Sequence, residues 1–387
     1  MKSIKKNNYE FNFQKKALVS VMTALFTTVM TTGISQASDI DIYQQAKSGD
    51  ITLMFLLDLS GSMDRSAGGG QNACDLPSGV SAGTIRSATQ TYLTGVPSYL
   101  RRWCQNGTSN NATRYYDRLT RLKDGMIDLL YGNAANGVTR LDDDKVIGLS
   151  TFQYSNGTNK IPARPLGQSV FVNGQFITQR QLLINTITSE DFAANGRTPT
   201  ANAYADVAAY LLGTTTSGIS QSGFSSSSAD TKIDNRTTKR YIQPSSLSQT
   251  DEAKKCSGQG IYVLTDGEPN ESSTTIAGNL MRSAISDNSF NCNSSLLGEV
   301  NNPTYGFAGA WSCIGNFSQS LLSEDSNPAN LKIKTAVVGF GSSFNGISSY
   351  NKNLTQAQNI ANINNASVAG NLAPDIKNAA QIGRAHV

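Results

Sequence analysis

Four stretches of the chain are apolar almost without interruption: TLMFLLDLS from Thr52, KVIGLSTFQY from Lys145, GIYVLTDG from Gly260 and LKIKTAVVGFG from Leu331. Each is short and β-rich, and the lack of in-and-out alternation suits strands covered on both faces, as in a parallel sheet flanked by helices. Between them the period becomes helical. In YYDRLTRLKDGMIDLLYG, Leu119, Leu122, Met126, Leu129 and Leu130 recur on one face. In the alanine-rich TPTANAYADVAAYLLG, Thr198 reads as an N-cap, Pro199 as the first helical residue and Gly213 as the stop. Further helices are expected over 275–286 and 354–363. Strands alternating with helices predict an α/β fold: a doubly wound, mainly parallel sheet with right-handed crossovers and helices on both faces.

Three stretches do not fit that core, 64–113, 214–255 and 289–330, and they read as long loop insertions into one domain. The middle one is rich in Ser and Thr, the composition of a solvated loop. The outer two have little apolar material, but they carry Cys74 with Cys104 and Cys292 with Cys313. Disulfides would staple such excursions.

The chain begins with Lys2, Lys5, Lys6, Lys15 and Lys16, followed by an apolar run from Ala17 to Ile34 and the small-residue sequence Ser35-Gln36-Ala37. That is the layout of a secretory signal peptide, and cleavage after Ala37 is expected. The run is broken by five threonines and falls short of the ~20 apolar residues of a membrane span, so contact with the membrane is expected only through export. The expected organisation is therefore a signal peptide over 1–37, a short segment over 38–50, one domain over 51–366, and the start of a further region over 367–381. The last six residues, 382–387, resemble the translation of a common sequencing-library adapter.

Export changes the charge picture. The leader holds five lysines and one glutamate, which supply the whole formal excess of +4. A near-neutral mature chain offers no basic field to a phosphate backbone, which argues against nucleic acid as a partner. All five cysteines lie beyond the leader, where disulfides form and persist, and none has the C-x-x-C spacing of a zinc site. Proximity along the chain favours Cys74 with Cys104 and Cys292 with Cys313, leaving Cys256 over, although sequence does not fix connectivity. Enzymatic chemistry is not expected. The only histidine is His386, in the adapter-like tail, and Ser62 lies in Gly61-Ser62-Met63 rather than a G-x-S-x-G elbow. The acidic run Asp142, Asp143 and Asp144 reads as a solvated turn.

Ligand sites of parallel sheets collect at the carboxyl ends of the strands. Asp58 ends the first strand and Asp266 a later one. Ser60 and Ser62 follow Asp58 at two-residue steps, which would turn three oxygen-bearing side chains to one side of an extended loop, with Gly61 permitting a tight turn. Thr198, in GRTPT, adds a fourth oxygen group and Asp266, in LTDGEPN, a fifth. Two carboxylates with neutral hydroxyls make a hard-oxygen site suited to Mg²⁺, with Mn²⁺ and Ca²⁺ as alternatives.

These residues resemble the metal-ion-dependent adhesion site of von Willebrand factor A domains, a Rossmann-like fold with the pattern D-x-S-x-S, a distant threonine and a distant aspartate. All five positions match in order. The resemblance implies that Asp58, Ser60, Ser62, Thr198 and Asp266 hold a divalent cation, directly or through water, leaving one position for an acidic ligand. A narrower resemblance, to the PilC/PilY family of type IV pilus tip adhesins and assembly factors, rests on the exported start, IYQQAKSGDITLMFLLDLSGSM, GRTPTANAYADVAAYLLG, LTDGEPN and the cysteine-bearing insertions. It implies an exported protein of the cell surface, pilus tip, outer membrane or periplasm of a Gram-negative bacterium. Its expected partners are proteins offering a carboxylate, with pilus subunits as a second possibility. The function implied is adhesion, or alternatively pilus assembly with the metal domain making protein contacts.

Overall fold

The computed structural model describes residues 51–385, apart from 65, 67–69, 82, 107–111, 249–257, 267–268, 293–309, 340–343, 345, 348–350, 352 and 368–372. The leader, Cys256 and His386 lie outside the described residues.

The four apolar stretches form the parallel part of one sheet: β1 (Ile51–Asp58), β5 (Val146–Gln153), β11 (Gly258–Thr265) and β12 (Ile333–Gly339). The strand order is β12-β11-β1-β5-β6, where β6 (Asn156–Pro165) is an antiparallel edge strand hairpinned to β5. From β1 the chain moves outward to β5 and β6, then returns to β11 on the other side of β1. That reversal opens a crevice at the carboxyl ends of β1 and β11.

Helices cover both faces, so successive residues of one strand enter different cores. Met54 and Leu56 pack with α3 (Thr200–Leu212), α4 (Thr274–Ile285) and α5 (Ala310–Leu322), whereas Phe55 and Leu57 pack with α1 (Arg118–Tyr131) and α2 (Gln179–Thr188). The expected face of α1 is the buried one, and Asp117 caps its start by accepting from the Thr120 N–H at 2.8 Å. The helix expected over 354–363 is α6 (Gln356–Asn364), started by a capping box at Thr355 and Gln358. A last helix, α7 (Ala373–Ala385), buries Ile376, Ala379 and Ile382. It lies in the segment read as the start of a further region and the adapter-like tail. Among the described residues no helix is long and apolar enough to cross a membrane.

The insertions are more structured than their composition suggests. The first contains an antiparallel sheet of β2 (Thr84–Gln90), β3 (Tyr99–Gln105) and β4 (Arg114–Tyr116). Tyr99, Arg101 and Trp103 alternate along β3, and all three are buried. The period of two was present in the sequence but masked by arginine. Arg101 is tolerated inside because it pairs with Asp124 of α1 at 2.5 Å and lies over the Tyr116 ring. Cys74 and Cys104 are disulfide-bonded, as are Cys292 and Cys313. The hairpin of β7 (Ser169–Val172) and β8 (Gln175–Thr178) was not expected; it carries the exposed rings of Phe171 and Phe176, in contact at a tilt of 55°.

The second insertion is not a free solvated loop. It carries β9 (Lys232–Asp234) paired with β10 (Lys239–Tyr241), and Phe224, Tyr241 and Leu247 are buried in the core. A buried acid of α3, Asp206, holds it by accepting from Thr216 Oγ1 (2.6 Å), the Gly223 N–H (2.9 Å) and the Tyr241 hydroxyl (3.3 Å). The third insertion includes α5, a core helix in which Trp311, Ile314, Phe317 and Leu321 recur at helical spacing and are fully buried. Its interspersed Ser, Asn and Gln concealed that face.

Candidate functional site

β1 delivers Asp58 to the crevice, where its side chain is fully buried. Its Oδ1 accepts from the Ser60 N–H at 2.8 Å, and its Oδ2 accepts from Thr265 Oγ1 at 2.7 Å and from the Asp266 N–H at 3.4 Å. Residues 208 positions apart thus meet at the carboxyl edge, as the strand pattern predicted.

The segment after Asp58 departs from the extended loop expected of it. Ser60 is extended, but Gly61–Met63 form a 3₁₀ turn, and that turn brings Ser62 Oγ to 3.0 Å from Ser60 Oγ. Gly61 is buried and has no positive φ. Its N–H donates to the Gly196 carbonyl at 3.0 Å, and the Asn195 N–H donates to the Leu59 carbonyl at 2.7 Å. The loop carrying Thr198 is thereby stitched to the loop carrying the serines. The glycine that the backbone requires is Gly196, at φ 71°, where a Cβ would lie 3.0 Å from both Cγ and N of Tyr154.

Thr198 is 2% exposed but does not cap α3; Pro199 occupies the N-cap and Thr200 begins the helix. The reason is the backbone of Pro199 itself, whose ψ of 52° lies outside the helical range, so the helix begins one residue later than a proline in its first turn would place it. Gly213 ends α3 at φ 67°, as expected. Thr198 is positioned instead by the loop after Asp266: its N–H donates to Asn270 Oδ1 at 3.0 Å, and the next turn is tied by the Ala201 N–H donating to Ser272 Oγ at 3.1 Å. A surface pair of Arg197 with Glu271 joins the same two loops.

The structure also brings in groups that the sequence did not announce. Arg118, the first residue of α1, donates to Asp266 Oδ2 at 2.9 Å and to Asp75 Oδ1 at 2.8 Å, and Arg121 also pairs with Asp75. One signal could have flagged it, since a cation at a helix N-terminus opposes the helix dipole and needs an acidic partner.

Burial, and then the charge of Asp266, push the Asp58 carboxyl up to about 7, while its hydrogen bonds from Ser60 and Thr265 pull it down. Two acids at one buried edge are the arrangement that a cation relieves. Among the described residues no cluster of three or more His, Cys, Asp and Glu side chains is arranged to hold a metal ion. The candidate here is of another kind, two carboxylates with hydroxyls of Ser60, Ser62 and Thr198, and that donor set fits a hard divalent cation. Arg118 neutralises one oxygen of Asp266 and leaves the positive charge short of the negative. Comparison with protein-family models, curated proteins and solved structures finds no match.

Proposed function

We propose that this chain is an exported adhesin of the cell surface or pilus tip, built on a von Willebrand factor A-like domain that binds protein ligands through a divalent cation, Mg²⁺ foremost. The observation that carries the reading is the meeting of Asp58, Ser60, Ser62 and Asp266 in one crevice, with the Thr198 loop tied to it on both sides. The order of these residues along the chain and their D-x-S-x-S spacing are those of the adhesion site that the sequence resembles.

In this reading Asp58, Ser60, Ser62, Thr198 and Asp266 hold the cation, which supplies a positive charge able to take a carboxylate from a partner protein. The chain supplies preorganisation. Ser60 and Thr265 fix the rotamer of Asp58, Asn270 fixes the Thr198 loop, and burial of the crevice strengthens each charge interaction. Nothing in this arrangement calls for proton transfer or a nucleophile.

The test is binding of the purified mature protein to a panel of host and pilus proteins, in Mg²⁺ and then in chelator. The expected result is binding that chelation abolishes and that Asp58→Ala lacks. Binding indifferent to chelation and to Asp58→Ala refutes the proposal. Loss of pili on gene deletion, with no metal-dependent ligand found, would support the assembly role instead.

A further inference from the structure

The charges around the crevice alternate in a line that leads out of it. Arg121 pairs with Asp75, Asp75 with Arg118 at 2.8 Å, Arg118 with Asp266 at 2.9 Å, and Asp266 meets Asp58 through its backbone N–H. Arg118 and Asp75 are both nearly buried, with 8% and 4% of their side chains exposed, so solvent does not dissolve these pairs. Asp75 belongs to the first insertion, directly after the disulfide-bonded Cys74, and its backbone is left-handed at φ 44°. A non-glycine residue in that conformation persists where its surroundings hold it.

A guanidinium bonded to a carboxylate competes with any cation for that carboxylate. Arg118 gives Nε and Nη2 to Asp75 and Nη1 to Asp266, so a guanidinium drawn closer to one acid is drawn from the other. We infer that Arg118 is a positioning residue that weakens the hold of the crevice on a divalent cation by occupying Asp266, and that Asp75 relieves this by drawing the guanidinium away. This rests on the proposed metal site. Through Asp75, the disulfide-bonded sheet of the first insertion sets the affinity of a site to which it contributes no ligand. Displacement of the insertion by a bound partner would then change cation affinity, and by linkage the cation would change affinity for that partner.

The experiment is Mn²⁺ titration calorimetry of the mature protein and three variants, with circular dichroism and melting in chelator to establish that each is folded. Arg118→Met should bind Mn²⁺ about tenfold tighter or more, because a buried positive charge beside the site is gone. Asp75→Asn should bind several-fold weaker, since Arg118 then leans wholly on Asp266. Arg118→Lys keeps the charge and should stay within about threefold of wild type. General damage to the fold would lower affinity in both Arg118→Met and Asp75→Asn, so the opposite directions are diagnostic. Unchanged or weaker binding by a folded Arg118→Met overturns the inference. If that variant does not fold, unchanged or tighter binding by Asp75→Asn overturns it. A wild-type protein that binds no Mn²⁺ refutes the metal site itself, and this inference with it.

Discussion

Asp206 offers a test of how the scaffold behind the site is held. The residue lies in the middle of α3, has no exposed surface, and anchors the second insertion to the helix that begins beside Thr198. Burial raises its carboxyl from the usual 3.8 to about 7, against the pull of hydrogen bonds from Thr216, Gly223, Tyr241 and Gly157. A folded-state value above the unfolded one means that the native protein binds the extra proton. Stability from this group is therefore complete below pH 4 and falls as pH rises from about 4 to 7. A shift of this size at 1.36 kcal/mol per unit sets the full loss at about 4 kcal/mol, of which some 2–3 kcal/mol falls between pH 5 and pH 8. Asp206→Asn mimics the protonated acid. Its amide oxygen can accept from the fixed Gly223 N–H, and its NH₂ can donate to the hydroxyls of Thr216 and Tyr241, which rotate to accept. The assay is urea unfolding of both proteins at pH 5 and pH 8 in chelator, reading the difference so that other titrating groups cancel. Asp206→Asn should gain on wild type by about 2–3 kcal/mol on going from pH 5 to pH 8. A difference that is flat with pH, or that moves the other way, refutes the reasoning.

Other expectations follow from single contacts. In a melting series with Mg²⁺, Mn²⁺ and chelator, wild type should gain several degrees from metal, since a cation at a hundred times its dissociation constant contributes about 2.7 kcal/mol. Asp58→Ala should lose that gain while folding normally, and Ser62→Ala should lose less of it because a neutral ligand is removed; a wild-type curve indifferent to metal contradicts both. Asn270→Ala removes the bond that fixes Thr198, so cation affinity should fall severalfold, with apo melting altered by no more than about 1 kcal/mol. Replacing Cys74 and Cys104 with alanine should cost about 2–4 kcal/mol in non-reducing urea unfolding. Trp311→Ala should cost about 3–5 kcal/mol, and a loss under 1 kcal/mol would mean that α5 is not part of the core.

The parallel strands and the helices α1, α3, α4 and α6 were legible because strands buried on both faces need continuous apolar runs, and helices buried on one side need a repeating stripe. Asp58 and Asp266 could be placed together because every parallel strand delivers its end to the same edge. What stayed hidden depended on polar pairing between different elements, which no periodicity within one segment records. Arg101 reads as a surface residue until Asp124 is set against it, and Thr216 as a loop hydroxyl until Asp206 is beneath it. Arg118 escaped for the same reason, since its partners lie 43 and 148 positions away and in opposite directions along the chain. Thr198 was found by its motif, but its conformation was misjudged because the proline after it was assigned to the first turn.

The strand order also governs when such a site can come into being. β1 needs neighbours on both sides, and while β5 follows within about a hundred residues, β11 is not made until some two hundred have passed. Until then one edge of an apolar strand reading LMFLL stands open, the kind of surface that pairs with other chains. The crevice itself is assembled only when β11 closes onto β1, because Asp58 and Asp266 belong to those two strands and the loops that end them. A nascent or half-folded chain therefore has no such crevice to offer a cation. Ion capture would come as the closing act of folding and would pull the slow, long-range pairing of the central strands to completion.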